Sequence, residues 1–153
     1  MSKNSKIIYL FLSTIFFILC NFSLSDLILK NGFKLKENSV LDITFIQNQG
    51  AAFNLFEGYR IFLITFSVAA ILWIIFYTIK HISKAPVFGL FFTSLLLSGI
   101  FNNMFERIYF GYVRDFIKLN FIDFPIFNIS DIFINIGVFG IILIILKYNY
   151  LKK

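Results

Sequence analysis

The chain has 153 residues, 59% of them apolar and 20% aromatic, with a mean hydropathy of +0.84. No soluble domain of this size hides that much apolar surface, so its solvent must be largely lipid. The net charge of +6 comes from basic residues scattered at segment ends, without the stripe a nucleic-acid interface needs, and no nucleic-acid partner is expected.

The first charge-free run, residues 7–25, lies between Lys6 and Asp26. Its 19 residues approach the ~20 that cross ~30 Å of hydrocarbon as a helix. Its basic start and apolar centre resemble a cleavable leader. Leu19, however, is bulky where such a leader needs a small residue before Cys20, and three further runs follow. The run is therefore expected to stay as an uncleaved first span, about 7–26. Cys20, the single cysteine, excludes an internal disulfide and reads as a small core or lipid-facing residue. Asp26 and Lys30 stand at i, i+4 spacing at the outer end of this span.

The segment from about 27 to 60 is too long for a turn. Ser39-Val-Leu-Asp-Ile-Thr-Phe-Ile-Gln47 alternates and is rich in β-branched residues, which predicts a strand. Residues 29–36 could hold a second strand or a turn around Asn31-Gly32. A small sheet on the outer membrane surface follows from this. In Asn48-Gln-Gly-Ala-Ala-Phe53, Gly50 and two alanines permit close backbone approach, and Asn48 offers an amide to a buried partner. A tight turn leaving the strand accounts for the same residues.

Runs 61–79 and 85–105, of 19 and 21 residues, give spans of about 61–80 and 85–106. At the end of the third span, Asn103, Glu106 and Arg107 share one helical face. They fit either an interfacial helix end with a Glu106–Arg107 contact or a functional cluster. His81, in the turn between these spans, is assigned no role. The connection of about 107–128 holds Gly111 and Pro125 and could supply strands or an interfacial loop.

The last run, 132–146, has only 15 residues. At ~1.5 Å rise it covers about 22 Å. The fourth span must therefore recruit flanking residues, to about 129–147, with Lys147 snorkelling at its far end. Asp131, and with it Asn128, then falls at or just below the hydrocarbon boundary. Short segments with Lys3 and Lys6, Lys80 and Lys84, and Lys147, Lys152 and Lys153 all lie on one side of this path, which should be cytoplasmic. The expected architecture is a single, mainly α integral membrane domain (1–153) with four transmembrane helices. Both termini are then cytoplasmic, and a small β-rich part lies outside.

Asp115 and Asp131, sixteen positions apart, thus border one outward connection. Carboxylates at a membrane border lose hydration, so their default reading is functional. Two in close approach cannot both ionise easily. One keeps a proton while the other acts as base, which is aspartic-protease chemistry. Asp131 opens a helix, whose dipole favours its charged form, although such a pair titrates as a unit. Spacing alone equally allows two ordinary aspartates, Asp131 capping its helix and Asp115 pairing with Arg114 or Lys118. One Cys and one His far apart make no metal site, and neither a Gly-x-Ser-x-Gly element nor a Gly-rich phosphate loop is present. A transporter or a subunit of a larger complex is the rival class. A transporter would place ionisable groups near the bilayer midplane, whereas every charge here is at a span end.

Taken together and in order, the motifs resemble those of the lipoprotein signal peptidase (signal peptidase II) family. Asn48-Gln-Gly-Ala-Ala-Phe53 is similar to its Asn-x-Gly-Ala-Ala-Phe segment. Asn102-Asn-Met-Phe-Glu-Arg107 and Gly111-Tyr-Val-Arg-Asp-Phe116 resemble its Gly-Asn-x-x-Asp-Arg and Gly-x-Val-x-Asp-Phe pair. Phe124-Pro-Ile-Phe-Asn-Ile-Ser-Asp131 resembles Phe-Pro-x-Phe-Asn-x-Ala-Asp. The resemblance implies a catalytic dyad of Asp115 and Asp131 under a β-rich cradle facing away from the cytoplasm, in a bacterial cytoplasmic (inner) membrane. It implies no cofactor, a monomer among membrane lipids, and substrates that are prolipoproteins cut before a diacylglyceryl-modified cysteine. Asn48, Gly50, Asn103, Arg107 and Asn128 match positions that line or brace the family's active site, and Asp26 and Lys30 match supporting residues of its first motif. Glu106 stands where the family has Asp, Asn102 where it has Gly, Ser130 where it has Ala and Leu27 where it has Gln. Because Glu106 keeps the charge, Glu106→Asp is expected to be nearly silent.

Overall fold

The structure is a computed structural model and describes residues 1–31, 40–51 and 55–150. Four helices, α1 (Lys3–Asn31), α2 (Arg60–His81), α3 (Val87–Tyr109) and α4 (Ile129–Tyr150), are joined by two strands, β1 (Leu41–Asn48) and β2 (Val113–Leu119). All four helices are long and apolar enough to cross a membrane. Helices are what such runs must form, because backbone N–H and C=O groups in hydrocarbon have no partners other than one another. The fourth helix recruits flanking residues at both ends, as its short charge-free run requires. Asp131 lies in its first turn and Lys147 in its last.

α3 is the centre of the bundle. Pro86, which lacks an N–H, precedes its first turn in an extended conformation. At its far end the N–H of Phe110 closes on the carbonyl of Glu106, and Gly111 at φ 89° turns the chain out of the helix. Toward α4, glycines allow near contact of backbones: a Cβ on Gly137 would lie 2.8 Å from both Leu96 N and Phe92 O. Toward α1, Ser13 and Ser94 share a hydroxyl hydrogen bond of 2.6 Å, and Phe17 meets Phe91 edge to face with centroids 5.4 Å apart. At the opposite end of the molecule, Lys6 donates its Nζ hydrogens to the carbonyls of Ile82, Ser83 and Ala85, tying the N-terminal segment to the α2–α3 turn.

The expected small sheet is present as an antiparallel pair, with Leu41 opposite Leu119, Ile46 opposite Asp115 and Asn48 opposite Val113. The ladder is irregular between Ile43 and Ile46. The first strand lies where alternation predicted it. The second comes from the 107–128 connection. Of the alternative strand or turn at 29–36, residues 29–31 are the end of α1, whereas 32–36 lie outside the described residues. An isolated bridge between Ile117 and Phe127 folds the connection back on β2, with Phe127 N donating to Ile117 O at 3.1 Å. That bridge delivers Asn128 and the start of α4 to the side of Asp115.

Candidate active site

Asp115 and Asp131 line one cavity of about 800 Å³ together with Asn48, Asn103 and Arg107. β2 supplies Asp115, which is 2% exposed, and the first turn of α4 supplies Asp131. Every oxygen of the pair is held by an amide. Asn48 Nδ2 donates to Asp115 Oδ2 at 2.8 Å and Asn128 Nδ2 to Asp115 Oδ1 at 2.8 Å. Asn103 Nδ2 donates to Asp131 Oδ1 at 2.9 Å, and the backbone N of Asn128 to Asp131 Oδ2 at 3.1 Å. Asn128 therefore touches both carboxylates, and its Oδ1 in return accepts from Asp131 N at 3.1 Å in a reciprocal cap of α4.

The asparagines are fixed in turn. Asn48 Oδ1 accepts from Gly50 N at 2.9 Å, which orients its amide hydrogens toward Asp115. Asn103 Oδ1 accepts from Asn128 Nδ2 at 3.1 Å. Arg107 donates through Nη2 to Gly50 O at 2.6 Å and through Nη1 to Asn103 O at 3.1 Å, so one buried guanidinium locks the turn after β1 to α3. The motif starting at Asn48 is thus more than a strand end, although its residues 52 and 53 lie outside the described ones. Burial pushes the Asp115 carboxyl up to about 6; the hydrogen bond from Asn48 opposes this, and the neighbouring charge of Asp131 adds to it. The reading in which Asp115 pairs with Arg114 or Lys118 does not hold, because its two oxygens face Asn48 and Asn128 instead.

Of the two readings of the cluster at the end of α3, the one with a Glu106–Arg107 contact does not hold. Glu106 accepts three hydrogen bonds from Arg114: from the backbone N at 2.8 Å, Nε at 2.9 Å and Nη2 at 2.7 Å. Arg107 sits one position along the helix and turns toward the cavity, whereas Glu106 turns toward the base of β2. Arg114 also reaches Asp26 Oδ1 at 3.0 Å, and Asp26 holds Lys30 at 3.1 Å, so an ion-pair chain runs from α1 through β2 to α3. Among the described residues, Asp26 and Lys30 are therefore joined to the site through Arg114, and neither hydrogen-bonds the carboxylate pair. Sequence reasoning missed Arg114. Strand alternation puts it on the face opposite Asp115, where it anchors the strand. It also missed the buried bond from Asn21 Nδ2 to Ser130 Oγ at 3.0 Å, which fastens α1 to the residue before Asp131.

Two amide-held carboxylates in a cavity at the end of a four-helix membrane bundle have the form of a membrane aspartic peptidase. Residues 8–147 match the family model described as signal peptidase (SPase) II, and the chain belongs to that family, whose members remove signal peptides from prolipoproteins. It is 38% identical to the lipoprotein signal peptidase of Lactobacillus johnsonii over 149 residues, 90% of this chain and 91% of that one. With the lipoprotein signal peptidase of Caldicellulosiruptor bescii it shares 40% identity over 118 residues, 74% of this chain and 75% of that one. A solved bacterial membrane enzyme is similar in structure with a TM-score of 0.80 at 30% identity, covering 94% of this chain and 91% of that one.

Proposed function

We propose that Asp115 and Asp131 are the catalytic pair with which this chain hydrolyses the peptide bond before the lipid-modified cysteine of a prolipoprotein. One observation carries the assignment: Asn128 hydrogen-bonds both carboxylates at once and so holds them in one cavity. Asp131, at the positive end of α4, is the ionised base that takes a proton from water as it attacks the scissile carbonyl. Asp115, whose carboxyl burial pushes up to about 6, is the partner assigned the proton that the pair shares, the two titrating as a unit. It hydrogen-bonds the carbonyl oxygen as negative charge grows there. Collapse of the tetrahedral intermediate breaks the C–N bond, and the proton taken by Asp131 passes to the departing amine. Asn48, Asn103 and Asn128 hold the carboxylates, and Gly50 and Arg107 brace the asparagines. Asp26 and Lys30 support the strand that carries Asp115.

The substrate's acyl chains confine its cysteine to the membrane surface, which is where this pair lies. The segments rich in lysine are cytoplasmic and both termini are inside, so the pair faces outward from the bacterial cytoplasmic membrane. One chain contains both carboxylates and all their amide partners, in keeping with a monomer surrounded by membrane lipids and needing no cofactor. The test is cleavage of a lipid-modified prolipoprotein by purified wild type, Asp115→Asn and Asp131→Asn, with the unmodified precursor as a parallel substrate. Each variant is expected to lose at least ~100-fold in rate while remaining folded, since general acid–base steps each contribute about 10²–10⁴-fold. Full activity in either variant would remove the dyad, and equal cleavage of the unmodified precursor would remove the lipid requirement.

A further inference from the structure

Asn135 lies in α4 one turn beyond Asp131, with Ile132, Phe133, Ile134 and Ile136 around it in sequence. It is exposed from the bundle, yet it lines the same cavity as the two carboxylates. One of its amide hydrogens goes to Asp131 O at 2.9 Å. An asparagine amide has two donor hydrogens and a carbonyl oxygen with two lone pairs. Among the described residues the Asn135 side chain makes no other hydrogen bond. A polar group with unused capacity at this depth is costly against hydrocarbon and marks a functional position by default. Packing does not require it, because the neighbouring side chains that line this part of the cavity, Ile132, Ile134 and Ile136, are all aliphatic.

We propose that Asn135 recognises the substrate through a carbonyl acceptor in its lipid-embedded part, namely an ester carbonyl of the diacylglyceryl group. The inference rests on the peptidase reading above and names the chemistry by which that site would select lipid-modified chains. Asn135 follows Asp131 by four positions, so its Cα lies ~6 Å further along the helix, into the membrane, and its amide reaches back to the Asp131 carbonyl between the two levels. With the scissile bond at Asp131, the cysteine side chain and its glyceryl group extend in the same direction, and their ester carbonyls reach the level of this amide. Acyl tails continue past it along the aliphatic wall. The peptide carbonyls of the signal sequence offer the same acceptor chemistry from a second source.

Steady-state cleavage by wild type, Asn135→Leu and Asn135→Gln separates these sources, using one precursor peptide in diester-linked and ether-linked (dialkylglyceryl) forms. The ether form keeps the chains and lacks only the carbonyls. Asn135→Leu is expected to raise KM for the diester about fivefold, the weight of one hydrogen bond, with kcat unchanged. Wild type and Asn135→Leu should then be equal on the ether form, and Asn135→Gln should recover part of the diester KM. An unchanged KM for Asn135→Leu on the diester would overturn the proposal. So would an equal rise on both substrates, which would place the contact on the peptide or within the scaffold. In both cases an active wild type leaves the peptidase reading standing, whereas a wild type that cuts neither form overturns both.

Discussion

α2 and α3 have nearly the same length and both cross the membrane, yet they are inverted images in what they hide. α3 buries ten residues, six of them polar: Thr93, Ser94, Ser98, Asn102, Glu106 and Arg107. α2 buries only Leu63 and turns Phe66, Trp73 and Phe76 outward. In water this would be a failed fold. In lipid, acyl chains solvate large apolar side chains as well as a protein interior does, so burying them gains little. What gains from leaving lipid is the polar group that finds a partner. The bundle is accordingly assembled around hydroxyls, glycines and, at the end that carries the two strands, amides and ions. The active-site candidates sit where this polar seam reaches water, because that is where a carboxylate can be both held and supplied with a proton.

The contrast is tested most severely at Glu106. Charge alone predicts that Glu106→Asp is nearly silent. The geometry predicts otherwise, because the shorter arm withdraws the carboxylate by about 1.5 Å from three Arg114 donors now at 2.7–2.9 Å. Hydrogen bonds to charged groups contribute about 1.5–3 kcal/mol each. Arg114 keeps Asp26 as a partner, so the expected net loss is about 2 kcal/mol of stability, read as a lower midpoint of thermal unfolding in detergent. Arg114 precedes Asp115 on the same strand, and cleavage should slow by about tenfold as that carboxylate loses its exact placement against Asn48 and Asn128. A silent variant would mean that the end of α3 moves freely to follow the shorter arm, and the polar seam would then be softer than its hydrogen bonds imply.

A smaller effect concerns the coupling of the two carboxylates. The charge of Asp131 helps to raise Asp115 to about 6. Asp131→Asn removes that charge, so ionising Asp115 becomes easier and its titration moves down. It should stay above the ordinary carboxylate range, because burial is the largest cause and is untouched. Carbon NMR of aspartate-labelled protein reads this directly, without any activity. An unmoved titration would mean that the carboxylates do not sense each other, and a rise would reverse the sign of the coupling.

Much of this was legible in the chain, for identifiable reasons. Charge-free runs of known length find helices because the bilayer has a fixed thickness. β1 was legible because alternation survives at the membrane surface. Asp115, Asp131 and the asparagines were legible as motifs. Arg114 was not, because its partner Glu106 lies eight residues back around the Gly111 turn, and helical spacing favoured Arg107 instead. The double role of Asn128 was equally hidden. It depends on the Ile117–Phe127 bridge, a tertiary pairing within an irregular segment that leaves no periodic trace. The cavity wall escaped notice for the same reason, since Phe124 to Phe127 are contributed by that segment.

The smallest effect is expected on α2, and it bears on the other half of the contrast. Trp73 is 65% exposed from the bundle, and its ring contact is the stack on Tyr77 at 5.7 Å. Trp73→Leu exchanges one lipid-soluble side chain for another and gives up that stack, worth about 0.5 kcal/mol. Stability in detergent should therefore move by no more than about 0.5 kcal/mol, and cleavage should not change. If instead Trp73→Leu lowers stability by more than about 1 kcal/mol, in a manner that grows on dilution, lipid is not what this face meets. The aromatic side of α2 would then be packed against a second copy of the chain, and the monomer would have to be abandoned.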